Sequence, residues 1–176
     1  MHDGPMTRMF LLCLIAGLGV PGGKAAGLPL PDLANYDVYG GPRLAGKIVT
    51  NGDFEKGTKG WPLPAGYRID PMGGRDGSQA MFYERTDPVK YPLPAQALSL
   101  APGMRYRFSA WIRSENVKNS TEAGATLCIQ YGKGGKWLSG RYPLGITGTQ
   151  GWTRVEATTT VPADAETSTL TLYFRP

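Results

Sequence analysis

Histidine is almost missing from this chain: there is one, His2, among 176 residues. The commonest general base and the usual catalytic zinc ligand are therefore absent from everything beyond the extreme N-terminus. Cysteine is nearly as scarce, with only Cys13 and Cys128. Charged residues make up 19%, and the basic ones are scattered rather than clustered, so a formal net charge of +5 leaves no nucleic-acid footprint. The longest apolar run, Met9 to Val20, is well short of the roughly 20 residues that span a bilayer. Glu84, Glu115, Glu122, Glu156 and Glu166 are dispersed, and nothing in their spacing pairs two carboxylates for glycosidic cleavage. Cys128 falls in the middle of an apolar run without a partner histidine and reads as a structural thiol. These absences argue against catalysis in this segment.

Turn formers are plentiful: 25 glycines and 15 prolines. Hydrophobic residues are 41%, enough for one core in a chain of this length and too few residues for two ordinary domains. The N-terminus reads as an export signal, with Arg8 before the run Met9 to Val20 and small residues at Gly23, Ala25 and Ala26. Cleavage after Ala25 makes residues 1–25 the signal and predicts a secreted, periplasmic or cell-surface protein with no membrane association once cut. It would remove Arg8 and Lys24 against Asp3, so 19 basic and 14 acidic residues become 17 and 13, a net charge of +4. His2 and Cys13 would go too, and Cys128 would have no partner for a disulfide. Residues 26–46 carry Pro29, Pro31 and Pro42 without apolar periodicity and read as a linker or irregular lead-in.

From residue 47 onward the pattern is that of short strands. Tyr67 to Asp70 is a short strand at best, and Ser78 to Arg85 alternates, with Ala80 and Phe82 on one side and Met81 and Tyr83 on the other. In Met104 to Ser114, Tyr106, Phe108, Ala110 and Ile112 point to a core while Arg107, Ser109, Trp111 and Arg113 point away. Ala125 to Tyr131 repeats the device and leaves Gln130 outside. Trp152 to Val161 and Ser168 to Arg175 follow, the last turning Tyr173 and Arg175 outward. Eight or nine strands between Gly/Pro turns, with no helix of useful length, predict an all-β sandwich.

The opening of this region, Asn51-Gly52-Asp53-Phe54-Glu55 followed by Gly60-Trp61, resembles the opening of carbohydrate-binding modules of families 4 and 9. Asp76-Gly77-Ser78-Gln79-Ala80, Gly148-Thr149-Gln150-Gly151-Trp152-Thr153 and Val161-Pro162-Ala163-Asp164-Ala165 are similar to later parts of the same family. The resemblance implies a galactose-binding-like jelly roll over residues 47–176. Relatives continue past the position of Pro176 into a closing strand that carries a late Asp, so the resemblance implies a domain lacking its last strand, with a sheet edge left unpaired. Many relatives hold a structural calcium; carried over by motif, Glu55 and Asp76 are the metal candidates here, without the late Asp.

A sugar presents an apolar C–H face and a rim of hydroxyls, which calls for an aromatic platform edged by planar hydrogen-bonding groups. Trp111, Arg113, Gln130, Tyr173 and Arg175, with Tyr83 beside them, are the candidates for one such sheet face. Trp61 and Trp152 read as core residues, and Trp137, beside a Gly-rich turn, as a loop platform or core edge. The function implied is non-catalytic binding of an oligosaccharide or polysaccharide by an exported module, appended to a glycan-active enzyme whose catalytic domain lies downstream. The alternative is a structural or protein-interaction β-sandwich without a sugar site.

Overall fold

The computed structural model describes residues 8–16, by their backbone, together with 48–84, 93–118 and 124–174. The linker reading of residues 26–46 and the candidate Arg175 lie outside the described residues. Among the described residues nine strands form two antiparallel sheets: β1 (Arg8–Ala16), β2 (Tyr67–Asp70), β3 (Ala80–Glu84), β4 (Ala95–Leu98), β5 (Arg105–Val117), β6 (Ala125–Lys133), β7 (Lys136–Arg141), β8 (Gly148–Thr160) and β9 (Thr167–Phe174). One sheet runs β2-β3-β1-β5-β8 and the other β4-β9-β6-β7. The fold is the expected all-β sandwich.

Alternation along the strands makes the core. Phe108, Ala110 and Ile112 of β5 face Leu127 and Ile129 of β6 and Leu170 and Leu172 of β9, all at or below 1% exposure. Burying a side chain of that size contributes about 1.5–3 kcal/mol each, which is why the apolar half of every strand points one way. β3 obeys the same rule with Met81 and Tyr83 inward: Tyr83 stacks on Tyr67 at 4.3 Å between ring centroids and meets Phe174 of the opposite sheet at 5.1 Å.

The opening motif is a knot that ties the sheets' edge down. Asn51 sits at φ 51°, a left-handed conformation that asparagine tolerates better than most residues. Its Nδ2 donates to the carbonyls of Gly57 (2.8 Å) and Lys59 (3.1 Å), and its Oδ1 accepts from the Lys56 N–H (2.9 Å). The loop so closed buries Phe54 and Trp61 against each other, 5.7 Å apart, and the Trp61 indole N–H donates to the Asn51 carbonyl at 3.1 Å. Gln96 of β4 clamps the loop to the second sheet: Oε1 accepts from Thr50 N–H at 2.7 Å, while Nε2 donates to the carbonyls of Thr50 (3.0 Å) and Gly60 (2.9 Å).

Residues 8–16, the apolar heart of the sequence that reads as an export signal, occupy the middle of the five-stranded sheet. Arg8 to Leu11 register with Glu84 to Met81 of β3, and Arg8 to Ala16 with Glu115 to Arg107 of β5, antiparallel on both sides.

Candidate functional site

The two sheets turn their outer faces in opposite directions, and this separates the residues expected on one face. Trp111 and Arg113 belong to β5 and lie outside the five-stranded sheet. Gln130 and Tyr173 belong to β6 and β9 and lie outside the four-stranded sheet. Both sets were read correctly as pointing away from a core, but alternation within a strand carries no information about which sheet the strand joins. Tyr83 is in neither set: it is 2% exposed inside the core, and it is Phe82 that faces outward.

The five-stranded face carries aromatics under cations. The Arg75 guanidinium lies 3.9 Å from the Trp111 ring centroid, Arg68 lies 3.5 Å from that of Phe82, and Arg113 lies 5.6 Å from that of Trp152. Trp152, expected in the core, is thus a half-buried ring on this face. Arg154 of β8, opposite Trp111, donates to Glu156 at 2.9 Å and to the Ser109 hydroxyl at 3.4 Å. A groove of about 530 Å³ beside these residues is lined by Arg68, Phe82, Glu84, Arg113, Glu115 and Gln150 among others. A planar ligand that stacked on the Trp111 or Phe82 ring from the side of its arginine would have to displace it, a cation–π contact of about 0.5–2 kcal/mol.

The four-stranded face is built differently, and register fixes its rows. Cross-strand partners share a face. Trp137, Gly132 and Thr167 form one row across β7, β6 and β9; Gly140, Gln130 and Thr169 form the next; Cys128 and Thr171, then Thr126 and Tyr173, complete it. Trp137 is 66% exposed, and no described cation covers it. It borders a groove of about 270 Å³ with Gln130, Gly132, Gly135, Lys136, Thr167 and Thr169. Gly132 keeps the floor of that groove low, because a Cβ there would come 2.6 Å from the Thr167 hydroxyl.

The turn that presents Trp137 is rigid for reasons written in the sequence. Gly134 and Gly135 both have positive φ (57° and 73°) between the paired Lys133 and Lys136, the geometry of a two-residue hairpin turn that matches strand twist. Glu166 accepts from Gly134 N–H at 2.8 Å, and Lys133 meets Asp164 at 3.0 Å; the hydrogen bond and then the charge of Lys133 hold the Asp164 carboxyl below its usual range.

At the other end of the face the segment after β7 folds back over the sheet. Ala125 and Ile146 exchange backbone hydrogen bonds at 2.9 Å, and the Thr126 hydroxyl donates to the Pro143 carbonyl at 3.0 Å. Tyr142 meets Tyr173 edge to face at 5.7 Å, and its hydroxyl accepts from Gln130 Nε2 at 2.7 Å. Gln130 and Tyr173 are therefore brought to one site through Tyr142, a residue that strand reading passed over because it lies beyond the end of β7. Beneath this cover Cys128 is fully buried; desolvation pushes its thiol up to about 12, only partly offset by a hydrogen bond with Thr171.

A family model described as a carbohydrate binding domain, of the family 4 and 9 type, matches residues 46–176. The chain belongs to this family. No curated protein matches it. Among the described aromatics Trp137 is open and Tyr142 is exposed beside Gln130, Tyr173 is packed by Tyr142, and Trp111 lies beneath Arg75.

The two calcium candidates of the carbohydrate binding domain lie in the opening motif and in the turn before β3. Glu55 Oε1 accepts the Gln79 N–H at 2.8 Å, which locks the opening motif to the residue before β3. Asp76 occupies a left-handed position (φ 56°) in the turn Arg75–Gly77. Among the described residues no three His, Cys, Asp or Glu side chains group as metal ligands. Two carboxylates would need backbone carbonyls or water beside them to reach the six to eight oxygens calcium takes.

Proposed function

We propose that the outer face of the four-stranded sheet binds a neutral oligosaccharide or polysaccharide without catalysis, Trp137 stacking on a sugar ring and Gln130, Thr167, Thr169 and Tyr142 bonding its hydroxyls. The observation that carries this is the pairing of an open Trp137 ring with a row of neutral donors and acceptors in the adjacent groove. Among the described residues that line the groove, Lys136 is the one charged side chain and no carboxylate is present. The platform is held by sheet register and a Gly-Gly turn, so little ordering is needed on binding. Affinity electrophoresis of the protein against xylan, β-glucan, mannan and galactan tests the reading: retardation by at least one neutral polymer is expected, and free migration through all four contradicts it.

The domain's place in a larger protein is part of the same proposal. Arg8, the apolar run and Gly23 to Ala26 support export with cleavage near Ala25, and a binding domain without chemistry serves best when appended to a glycan-active enzyme. Intact mass of the secreted product reports the cut; a product retaining Met1 to Lys24 contradicts it. Leu144, 86% exposed two residues from Tyr142, favours a second reading in which this end of the face meets a protein partner.

A further inference from the structure

β1 is central in its sheet and yet the rest of the domain is organised without it. β3 and β5 each pair with β1 and not with each other, so the sheet is two antiparallel pairs, β2-β3 and β5-β8, bridged by residues 8–16. The β2-β3 pair has its own anchor to the opposite sheet through the Tyr67–Tyr83 stack and the contact of Tyr83 with Phe174. The β5-β8 pair runs from Arg105 to Val117, with register shifts after Ile112 and after Ser114, and carries the centre of the core at Phe108, Ala110 and Ile112. The same nine residues that fill the gap, Arg-Met-Phe-Leu-Leu-Cys-Leu-Ile-Ala, are those whose composition marks an export signal.

We propose that the gap between β3 and β5 is a binding slot for an extended strand, and that residues 8–16 occupy it as a separable ligand rather than as an integral strand. Recognition is by the main chain. Both walls run antiparallel to the guest, with nine registered positions on β5 and four on β3, the arrangement in which backbone hydrogen bonds supply affinity to an added strand. The two roles of the segment exclude each other in time: a chain passing through an export apparatus must draw residues 8–16 out of the sheet, and a chain cut near Ala25 holds them by pairing alone. This takes from the export reading only that a cut can fall between residues 16 and 48.

The full chain, with a specific protease sequence inserted between Gly22 and Gly23, is folded and then cut. A fluorescent synthetic peptide of residues 8–16 is added in excess, and gel filtration and a thermal melt follow. The N-terminal piece is expected to co-elute with the body after cutting and to be replaced by the labelled peptide. The melting temperature of the exchanged protein should rise with peptide concentration, as for any ligand of the folded state alone. A peptide with Leu12→Pro should not enter, because proline removes a main-chain N–H and is not accommodated in the middle of a sheet. Three results overturn the proposal: loss of the piece with no change in melting temperature or circular dichroism, retention that no peptide concentration reverses, or loss with unfolding that added peptide does not restore. No glycan enters the measurement, so its failure is distinct from a failure of the sugar-binding reading.

Discussion

Replacing Asn51 by alanine removes three hydrogen bonds at once, to the Gly57 and Lys59 carbonyls and from the Lys56 N–H. At about 1 kcal/mol net for each, the bonds account for about 3 kcal/mol. Alanine at φ 51° adds a steric cost of about 1 kcal/mol that asparagine largely escapes. The sum, about 4 kcal/mol, is a large part of the 5–15 kcal/mol that holds an ordinary domain folded. It corresponds to a fall in melting temperature on the order of 10 °C for a domain of this size. Asn51→Asp separates the donors from the backbone term: it keeps an acceptor for Lys56 and tolerates the left-handed conformation, but it loses both donors and sets a carboxylate against two carbonyls. It should fall by about 2–3 kcal/mol. Urea denaturation with a matching thermal melt gives both numbers. A loss under about 1 kcal/mol for Asn51→Ala, or an Asn51→Asp as stable as the parent, would refute the claim that this side chain closes the loop holding Phe54 and Trp61.

Tyr67→Phe should leave stability unchanged or raise it by about 1 kcal/mol, because the Tyr67 hydroxyl is buried with no hydrogen-bond partner among the described residues; a loss above 1 kcal/mol in the same denaturation would contradict this. Cys128 should resist iodoacetamide at pH 8 in the folded protein and react in 6 M urea, since burial keeps the thiol protonated up to about 12. The sign for stability follows: between the free thiol's ordinary value of 9.0 and about 12 the folded state holds a proton that the unfolded state has shed, so Cys128 makes stability fall as pH rises through that window. A Cys128→Ser variant with an identical alkaline decline would remove that contribution. Melts in millimolar calcium and in chelator should coincide within about 1 °C, because no third His, Cys, Asp or Glu side chain joins Glu55 and Asp76 among the described residues; a calcium-dependent rise would contradict this.

Much of the fold was legible because alternation is a local signal. The core sides of β5, β6 and β9 follow from every second residue, and Phe108, Leu127 and Leu170 are where that pattern puts them. β4 and β7 were not legible: Ala-Gln-Ala-Leu is too short and Lys-Trp-Leu-Ser-Gly-Arg too irregular to show a period of two, and β7 carries a register shift against β6 at Tyr131/Gly132. Tyr83 was misplaced for a different reason. Phe82 and Tyr83 are both large and aromatic, so composition could not say which faced inward, and only the Tyr67 stack and the Arg68 cap decide it. The site was half legible. The outward direction of Gln130 and Tyr173 follows from alternation, but placing Trp111 and Arg113 on the same or another face requires sheet membership, which is a long-range property. Trp137 had one usable signal, its place two residues after a Gly-Gly turn that forces it onto a hairpin strand. The residues of β1 carried a strong compositional signal for export, and that signal is silent about the strand they form.

Calorimetric titration of the parent, Trp137→Ala and Trp111→Ala with the neutral polymer that retards the protein most strongly tests the central claim directly, each variant first checked by its melt. The stacking surface of Trp137 is open, so its loss should weaken binding by about 2 kcal/mol, roughly 30-fold. Trp111 is covered by Arg75 on the opposite face, so its loss should leave affinity within about twofold. A folded Trp137→Ala that binds as tightly as the parent, or a Trp111→Ala that loses binding while Trp137→Ala keeps it, would contradict the placement of the sugar on the four-stranded sheet.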